Sequence, residues 1–599
     1  MLKILIIICV LFSFLCAVLC ESWLRKYRGK GEELAEVIGI VAGRNSYFWS
    51  FQYIPVLISV IIMSCAVGAL VDWQSACIYA AGAVVSFAAV LIGSRAMISG
   101  TAAAFNSVKS GDMKRSMTAS YRTGSVMGYI VAGSCAAIFA LLFAVLKVDK
   151  AITASVFMAF GACSAALLLH IGGHVYSSAY VLASPDDDFA DRTGFFAGSA
   201  ADIAATILTS LSAAVILSES AVLSSGVTSP LTLSVAAKFP VIVCACGIFA
   251  SAVGNIIYRA SSKSDSSAGA SVSALITAAL VIALSVYFSS SIMESNVYAW
   301  PLSAGAAAGL LISEVSRFFS SGSRPFVLGS KEKKRLGKNM PVVFDLGTGM
   351  ISIIINIVVI LAAIYCSNLF TGYYGIALCA VGMASVSVSN ASMMGMSVVT
   401  PSVSELLSDF EDSAVDIMRD SFDITASRSR SVSGSYMSVS AISSAIAMYF
   451  AFAYLSKILT VNAMSAAVFA GLFTGVASAF VLMGMVIGSV GFTGRAALRD
   501  IRRNDDEAGA VGSLRGYVIP AVASVLFPAG IGLLLGLDAL AGFLLSSLAT
   551  CYMLAATLGN SGSNFENTAS QSLNSIIKIM IVLSVAFLPV IMSIGGVIG

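Results

Sequence analysis

The chain has 599 residues, 58% of them apolar and only 11% charged, with a mean hydropathy of +0.93. A soluble domain of ordinary composition carries about 25% charged residues, and 34 basic with 31 acidic side chains cannot cover a water-soluble globule of this length. A soluble enzyme, a disordered chain and a nucleic-acid binder are excluded, and the net charge of +3 adds nothing towards the last.

What remains is an all-α polytopic membrane protein. A spanning helix needs about 20 mostly apolar residues, and about sixteen such runs follow one another. They cover 2–21, 51–72, 75–94, 124–146, 151–182, 195–222, 234–258, 267–288, 297–316, 341–366, 372–396, 433–456, 462–490, 515–536, 538–559 and 573–598. The polar connections 22–50, 95–123, 317–340, 397–432 and 491–514 are long enough for helical extensions but not for an independent core. Residues 1–599 therefore read as one membrane-integral domain. The twelve cysteines fall in apolar runs with no CxxC spacing, which suits small buried residues rather than a metal site.

The loop charges set the expected orientation. With sixteen spans, the loops after odd-numbered helices share one side and hold 28 of the 34 Lys and Arg. By the positive-inside rule that side is cytoplasmic, which puts the N- and C-termini on the non-cytoplasmic side. The first run resembles a signal peptide in having one Lys, an apolar core, Ala17 and Cys20. The cluster Arg25, Lys26, Arg28 and Lys30 just after it opposes export of that flank, so it reads as a first helix.

Ionisable groups inside a span are costly and mark function by default. Asp202 lies about seven residues into the sixth run and Lys578 about five into the sixteenth. At 1.5 Å per residue both sit roughly 7–10 Å deep from the same side, so an ion pair is geometrically allowed. His170 and His174 stand one turn apart in the fifth run, too few for a metal centre and readable as a hydrogen-bonded buried pair. Asp186, Asp187, Asp188 and Asp191 open the loop before the sixth helix, either as a solvated acidic turn or as oxygen ligands for Mg²⁺. No Walker A sequence, GxSxG elbow or HExxH occurs, so nothing points to ATP-driven transport.

Five segments together carry a resemblance. Tyr121-Arg-Thr-Gly-Ser-Val-Met-Gly128 is similar to F-R-S-G-A-V-M-G, and Gly172-Gly-His-Val-Tyr-Ser-Ser178 to G-G-G-I-Y-T-K. Gly375-Ile-Ala-Leu-Cys-Ala-Val-Gly-Met383 is similar to G-I-A-L-A-A-V-G-M, and Asn560-Ser-Gly-Ser-Asn-Phe-Glu-Asn567 to N-A-G-G-A-W-D-N. Ser572-Leu-Asn-Ser-Ile-Ile-Lys-Ile-Met580 is similar to S-L-N-I-L-I-K-L-M. In order and over nearly the whole chain, these resemble the membrane-integral pyrophosphatases, sixteen-helix pumps that couple pyrophosphate hydrolysis to proton or sodium export. The resemblance implies a multi-pass protein of the cell membrane, acting on pyrophosphate with Mg²⁺, moving H⁺ or Na⁺, and forming a homodimer.

Carried over position by position, the resemblance implies catalytic and Mg²⁺-binding roles for Asp187 and Asp191, with Phe195 standing where the motif has a third aspartate. It implies a substrate and metal loop set of Asp420, Asp423, Asn560, Glu566 and Asn567. Ser178 and Gly434 stand where the family has lysines, and Met394 where it has an aspartate. Pyrophosphate is a compact polyanion whose hydrolysis needs metal ions and cationic clamps, and each charged hydrogen bond contributes roughly 1.5–3 kcal/mol. The resemblance also implies an intramembrane gate of Asp202 and Lys578, with His170 at an arginine position and Thr209 at a glutamate position. Three functions follow: a pyrophosphate-energised pump; a catalytically inactive homologue serving as a regulatory or partner subunit or binding another small anion; and a secondary transporter using the Asp202–Lys578 pair.

Overall fold

The computed structural model describes residues 2–29, 31–183, 192–224, 232–258, 266–320, 340–407, 413–458, 460–503, 508–559 and 564–594. Lipid offers the backbone no hydrogen-bond partners, so a spanning segment of this composition must satisfy its amides internally. Among the described residues the regular structure is helical throughout. In chain order the α-helices are α1 (Leu2–Tyr27), α2 (Glu32–Leu70), α3 (Trp73–Ser94), α4 (Ala96–Lys109), α5 (Met113–Val145), α6 (Val148–Ala183), α7 (Thr193–Ser224), α8 (Leu233–Ile257) and α9 (Ser267–Ile292). They continue as α10 (Ala299–Ser320), α11 (Met340–Ala384), α12 (Ser387–Leu406), α13 (Ser413–Ser456), α14 (Ala466–Arg503), α15 (Ala508–Gly559), α16 (Asn564–Ala586) and α17 (Leu588–Ile594).

Among the described residues, thirteen helices are long and apolar enough to cross a membrane, and fourteen if α16 and α17, bent by 59°, form one span. Of the sixteen expected runs, α15 holds two (515–536 and 538–559), and α11 holds one (341–366) with the first part of another (372–396) that continues into α12. Within α11, Thr371 and Gly372 leave helical geometry, Gly372 with φ 61°. Within α15, Gly536 does so with φ 87° and ψ −176°, a conformation open essentially to glycine alone. Unbroken, the 52 residues of α15 would reach about 78 Å, far more than one bilayer.

Several helices continue past their apolar runs into charged sequence. The helix α2 begins at Glu32 and α13 at Ser413, each about twenty residues before the expected span. Tight hairpins are capped locally: Asp72 accepts the Ser75 amide at the start of α3, and Asp112 the Arg115 amide at the start of α5.

The bundle has two layers. The apolar core of α7 is buried throughout and that of α6 almost so, whereas α1, α2 and α14 turn Ile4, Leu11, Ile54, Ile61, Phe473 and their neighbours outward. The helices α6, α7, α13, α15 and α16 pack against one another as an inner group, with α11 and α12 beside α7 and α13. The polar residues of interest lie on this inner group.

Candidate functional site

The register of α7 against α6 is set by backbone contact. A Cβ on Gly194 would lie 2.4 Å from the Gly173 carbonyl oxygen, and one on Gly173 would lie 2.2 Å from that of Gly194. Only residues without a side chain allow this approach, the close packing that small residues permit between membrane helices. One turn on, Gly198 packs under His170 and His174, where a Cβ would lie 3.2 Å from Cδ2 of His174. At 3.6 residues per turn Gly194, Gly198, Asp202 and Thr206 form one stripe on α7. The glycines therefore place Asp202 in the centre of the inner group.

There Asp202 and Lys578 form an ion pair. Lys578 Nζ donates to Asp202 Oδ1 at 2.5 Å, to the Asp202 main-chain oxygen at 3.1 Å and to Thr206 Oγ1 at 2.8 Å. All three ammonium protons are thereby used. Ser575, on α16 one turn before the lysine, donates to Asp202 Oδ1 at 2.7 Å, and its oxygen lies 2.7 Å from His170 Nδ1. Asp202 and Lys578 are 1% and 0% exposed. A pair so fully withdrawn from water needs each of these bonds to offset its desolvation.

The other gate residues divide. His170 joins the cluster, with Nδ1 3.6 Å from Asp202 Oδ1. Thr209 is buried one turn beyond Thr206, and its hydroxyl meets Cys163 Sγ at 3.3 Å rather than either charge. His170 and His174 meet ring to ring, centroids 4.5 Å apart and nearly perpendicular, rather than as a hydrogen-bonded pair. Thr206 and Ser575 were not singled out from the sequence. Their signal was present: they stand four residues after Asp202 and three before Lys578, on the faces that carry the charges.

A second polar group lies at the end of the bundle where α7, α12 and α13 meet. Arg192 pairs with Glu405, and Ser404 donates to Asp423 at 3.1 Å. The Phe195 amide donates to Ser177 at 3.2 Å, while Arg430 lies over the Phe195 ring at 5.8 Å. Asp420 and Asp423 are exposed here, three residues apart on α13. Between this polar end and the ion pair, Ser199 donates to Gln571 at 3.1 Å. Asp187, Asp191 and Asn560 lie outside the described residues, and Glu566 and Asn567 fall in the first turn of α16. Among the described residues no group of three or more His, Cys, Asp or Glu side chains is placed to hold a metal ion. Met394 is buried in α12.

The family described as "Inorganic H+ pyrophosphatase" matches residues 11–184 and 182–571 of this chain. A relative from Clostridium tetani is 21% identical, over 99% of this chain and 97% of its own. A K(+)-insensitive pyrophosphate-energized proton pump of Pyrobaculum aerophilum is 22% identical, over 96% of this chain and 95% of its own. A K(+)-stimulated pyrophosphate-energized sodium pump of Thermotoga maritima is also 22% identical, over 90% of this chain and 87% of its own. The Pyrobaculum alignment runs over 700 positions against 599 residues here, so that relative carries segments which this chain lacks.

Proposed function

Because the chain belongs to the inorganic H⁺ pyrophosphatase family, we propose that it is a pyrophosphate-energised ion pump of the membrane with the Asp202–Lys578 pair as its gate. The observation that carries this reading is the cluster itself. A carboxylate and an ammonium, fully enclosed and joined by Thr206, Ser575 and His170, stand in the core of a multi-pass bundle. Charges at such a place mark an ion path by default.

We count sixteen crossings. The fourteen spans rise by two when α15 is divided at Gly536 and α11 at Thr371–Gly372, with the second part of α11 carried on by α12, and the parts then follow the sixteen apolar runs in order. The excess of Lys and Arg on one set of loops makes that side cytoplasmic and both termini external. The mouth formed by Arg192, Glu405 and Asp423 is then the cytoplasmic entrance.

Pyrophosphate and Mg²⁺ are assigned to that entrance, with Asp187, Asp191, Asp420, Asp423, Asn560, Glu566 and Asn567 as the ligand set. Carboxylate and amide oxygens are the hard donors that Mg²⁺ takes, and Asp420 and Asp423 are exposed on one helical face at the mouth. When bound there, the ion would supply neutralisation of the polyanion's charge.

Purified protein in liposomes, given pyrophosphate and Mg²⁺ with ion uptake followed in parallel, tests the reading. Phosphate release that Asp191→Ala abolishes is the expected result. No release, with a thermal stability unmoved by Mg²⁺ and a non-hydrolysable pyrophosphate analogue, would overturn it in favour of a catalytically inactive subunit.

A further inference from the structure

The chain has two histidines, and both lie between the mouth and the ion pair. His170 is 0% and His174 1% exposed. The hydroxyl of Ser575 has one proton, and it points to Asp202 Oδ1 at 2.7 Å. The 2.7 Å contact between Ser575 Oγ and His170 Nδ1 is then a hydrogen bond only if the ring donates from Nδ1. That fixes the neutral tautomer of His170 and leaves Nε2 as a proton acceptor. His174 stands one turn nearer the mouth with neither ring nitrogen hydrogen-bonded to another described residue. Its ring contacts are His170 and, at 4.7 Å between centroids, Phe195 at the mouth. A phenyl ring would fill that space without enclosing two polar nitrogens, so packing alone does not call for histidine there.

We propose that His174 and His170 form a two-ring proton file joining the mouth to Asp202, so that the ion handled by this gate is H⁺. The inference rests on the reading of the chain as an ion pump and names its ion. One proton binds a nitrogen of His174 and passes to Nε2 of His170 when the His174 ring turns, because the rings stand edge to face with no hydrogen bond between them. The Nδ1 proton of His170 goes to Ser575 Oγ, and the Ser575 proton goes to Asp202 Oδ1. Each group gains one proton and loses one until the carboxylate keeps the last, and no electrons move. Protonated Asp202 no longer holds Lys578 as an ion pair, which couples arrival of the proton to release of the lysine. Among the described residues, the charged groups around the rings are Asp202 and Lys578 on one side and Arg430 on the other. A metal cation would need several oxygen ligands, whereas the one carboxylate of this cluster among the described residues, Asp202, already holds the Lys578 ammonium. At the remaining gate position, Thr209 offers only a hydroxyl turned to Cys163.

Two measurements test this on the full chain carrying a histidine-free tag. In proteoliposomes driven by pyrophosphate and Mg²⁺, wild type should take up protons and no sodium, and His174→Phe should lower proton uptake at least tenfold without lowering the unfolding temperature. His174→Gln, equally unable to relay a proton, replaces it if the phenyl variant does not fold. Undiminished proton uptake by the variant that folds, or sodium uptake by wild type, overturns the file. Absence of phosphate release by wild type overturns the pump reading instead, and the second measurement then decides the file alone. With ¹⁵N-histidine the protein gives signals from these two rings only. The expected spectrum shows His170 as the Nδ1–H tautomer, lost in Ser575→Ala, with proton exchange between the rings. A static Nε2–H tautomer at His170 overturns it.

Discussion

Replacing Lys578 by Met keeps the unbranched stem and removes the ammonium. Its nitrogen donates to Asp202 Oδ1 at 2.5 Å, to the Asp202 carbonyl at 3.1 Å and to Thr206 at 2.8 Å. At an effective dielectric constant of about 20, two unit charges about 2.5 Å apart attract by about 7 kcal/mol. Relief of the lysine's own desolvation offsets part of this, so the expected loss is about 3–5 kcal/mol, as for other buried pairs robbed of one partner. The enclosed carboxylate would keep Ser575 as its hydrogen-bond donor. Asp202→Asn should cost a similar amount by leaving the ammonium unpaired. The double variant leaves no unpaired charge and should fall within about 2 kcal/mol of wild type. Equilibrium unfolding of the four proteins in bicelles gives the coupling energy directly. Two single losses that simply add in the double variant, or an unchanged stability for Lys578→Met, would refute the assignment of the pair.

Thr206→Val should cost about 1.5–3 kcal/mol by removing a charge-assisted bond to Lys578, while Thr209→Val, which removes a hydroxyl contact with Cys163 and no contact with either charge, should cost under about 1 kcal/mol in the same assay. Gly194→Ala forces a methyl to 2.4 Å from the Gly173 oxygen and should lose about 1–3 kcal/mol. Gly39→Ala, exposed in α2 with nothing within 4 Å of the new carbon, should be neutral or gain up to about 1 kcal/mol. Gly536→Ala should lose about 1–3 kcal/mol, because its φ of 87° with ψ −176° strains any residue with a side chain. Thermal unfolding against wild type checks all three.

The layout of the helices was legible because lipid imposes a simple rule: each crossing needs an apolar run of fixed length. That rule says nothing of where a helix ends outside the bilayer, so Glu32–Ser50 and Ser413–Val432 looked like connections yet belong to α2 and α13. The pairing of Asp202 with Lys578 was legible as a matching of depths, since residue count along a helix converts directly to distance. Its neighbours were harder to see. Ser575 and Thr206 are ordinary membrane-helix residues, distinguished only by their spacing from a charge. The direction of Thr209 depends on the rotation of α7 against α6, which the contact of Gly173 with Gly194 decides and no single-helix pattern contains. The Gly194-x-x-x-Gly198 spacing was the available signal for that contact.

An ion pair is a poor way merely to join α7 to α16. Apolar side chains of similar volume commonly hold such a site as well or better, by about 1–4 kcal/mol, because they avoid desolvating two charges. Here the most enclosed part of the bundle holds a carboxylate, an ammonium, two imidazoles and the hydroxyls of Thr206 and Ser575, where isosteric apolar residues would pack. A structural role and a transport role therefore part company in one protein. The Asp202→Asn, Lys578→Met double variant should recover most of the stability lost by either single change. It leaves an arriving proton no carboxylate to bind and no ammonium to release, so it should move no ions. If it regained both stability and ion uptake, the pair would be reduced to a brace between helices, and the ion path would have to run elsewhere in the bundle.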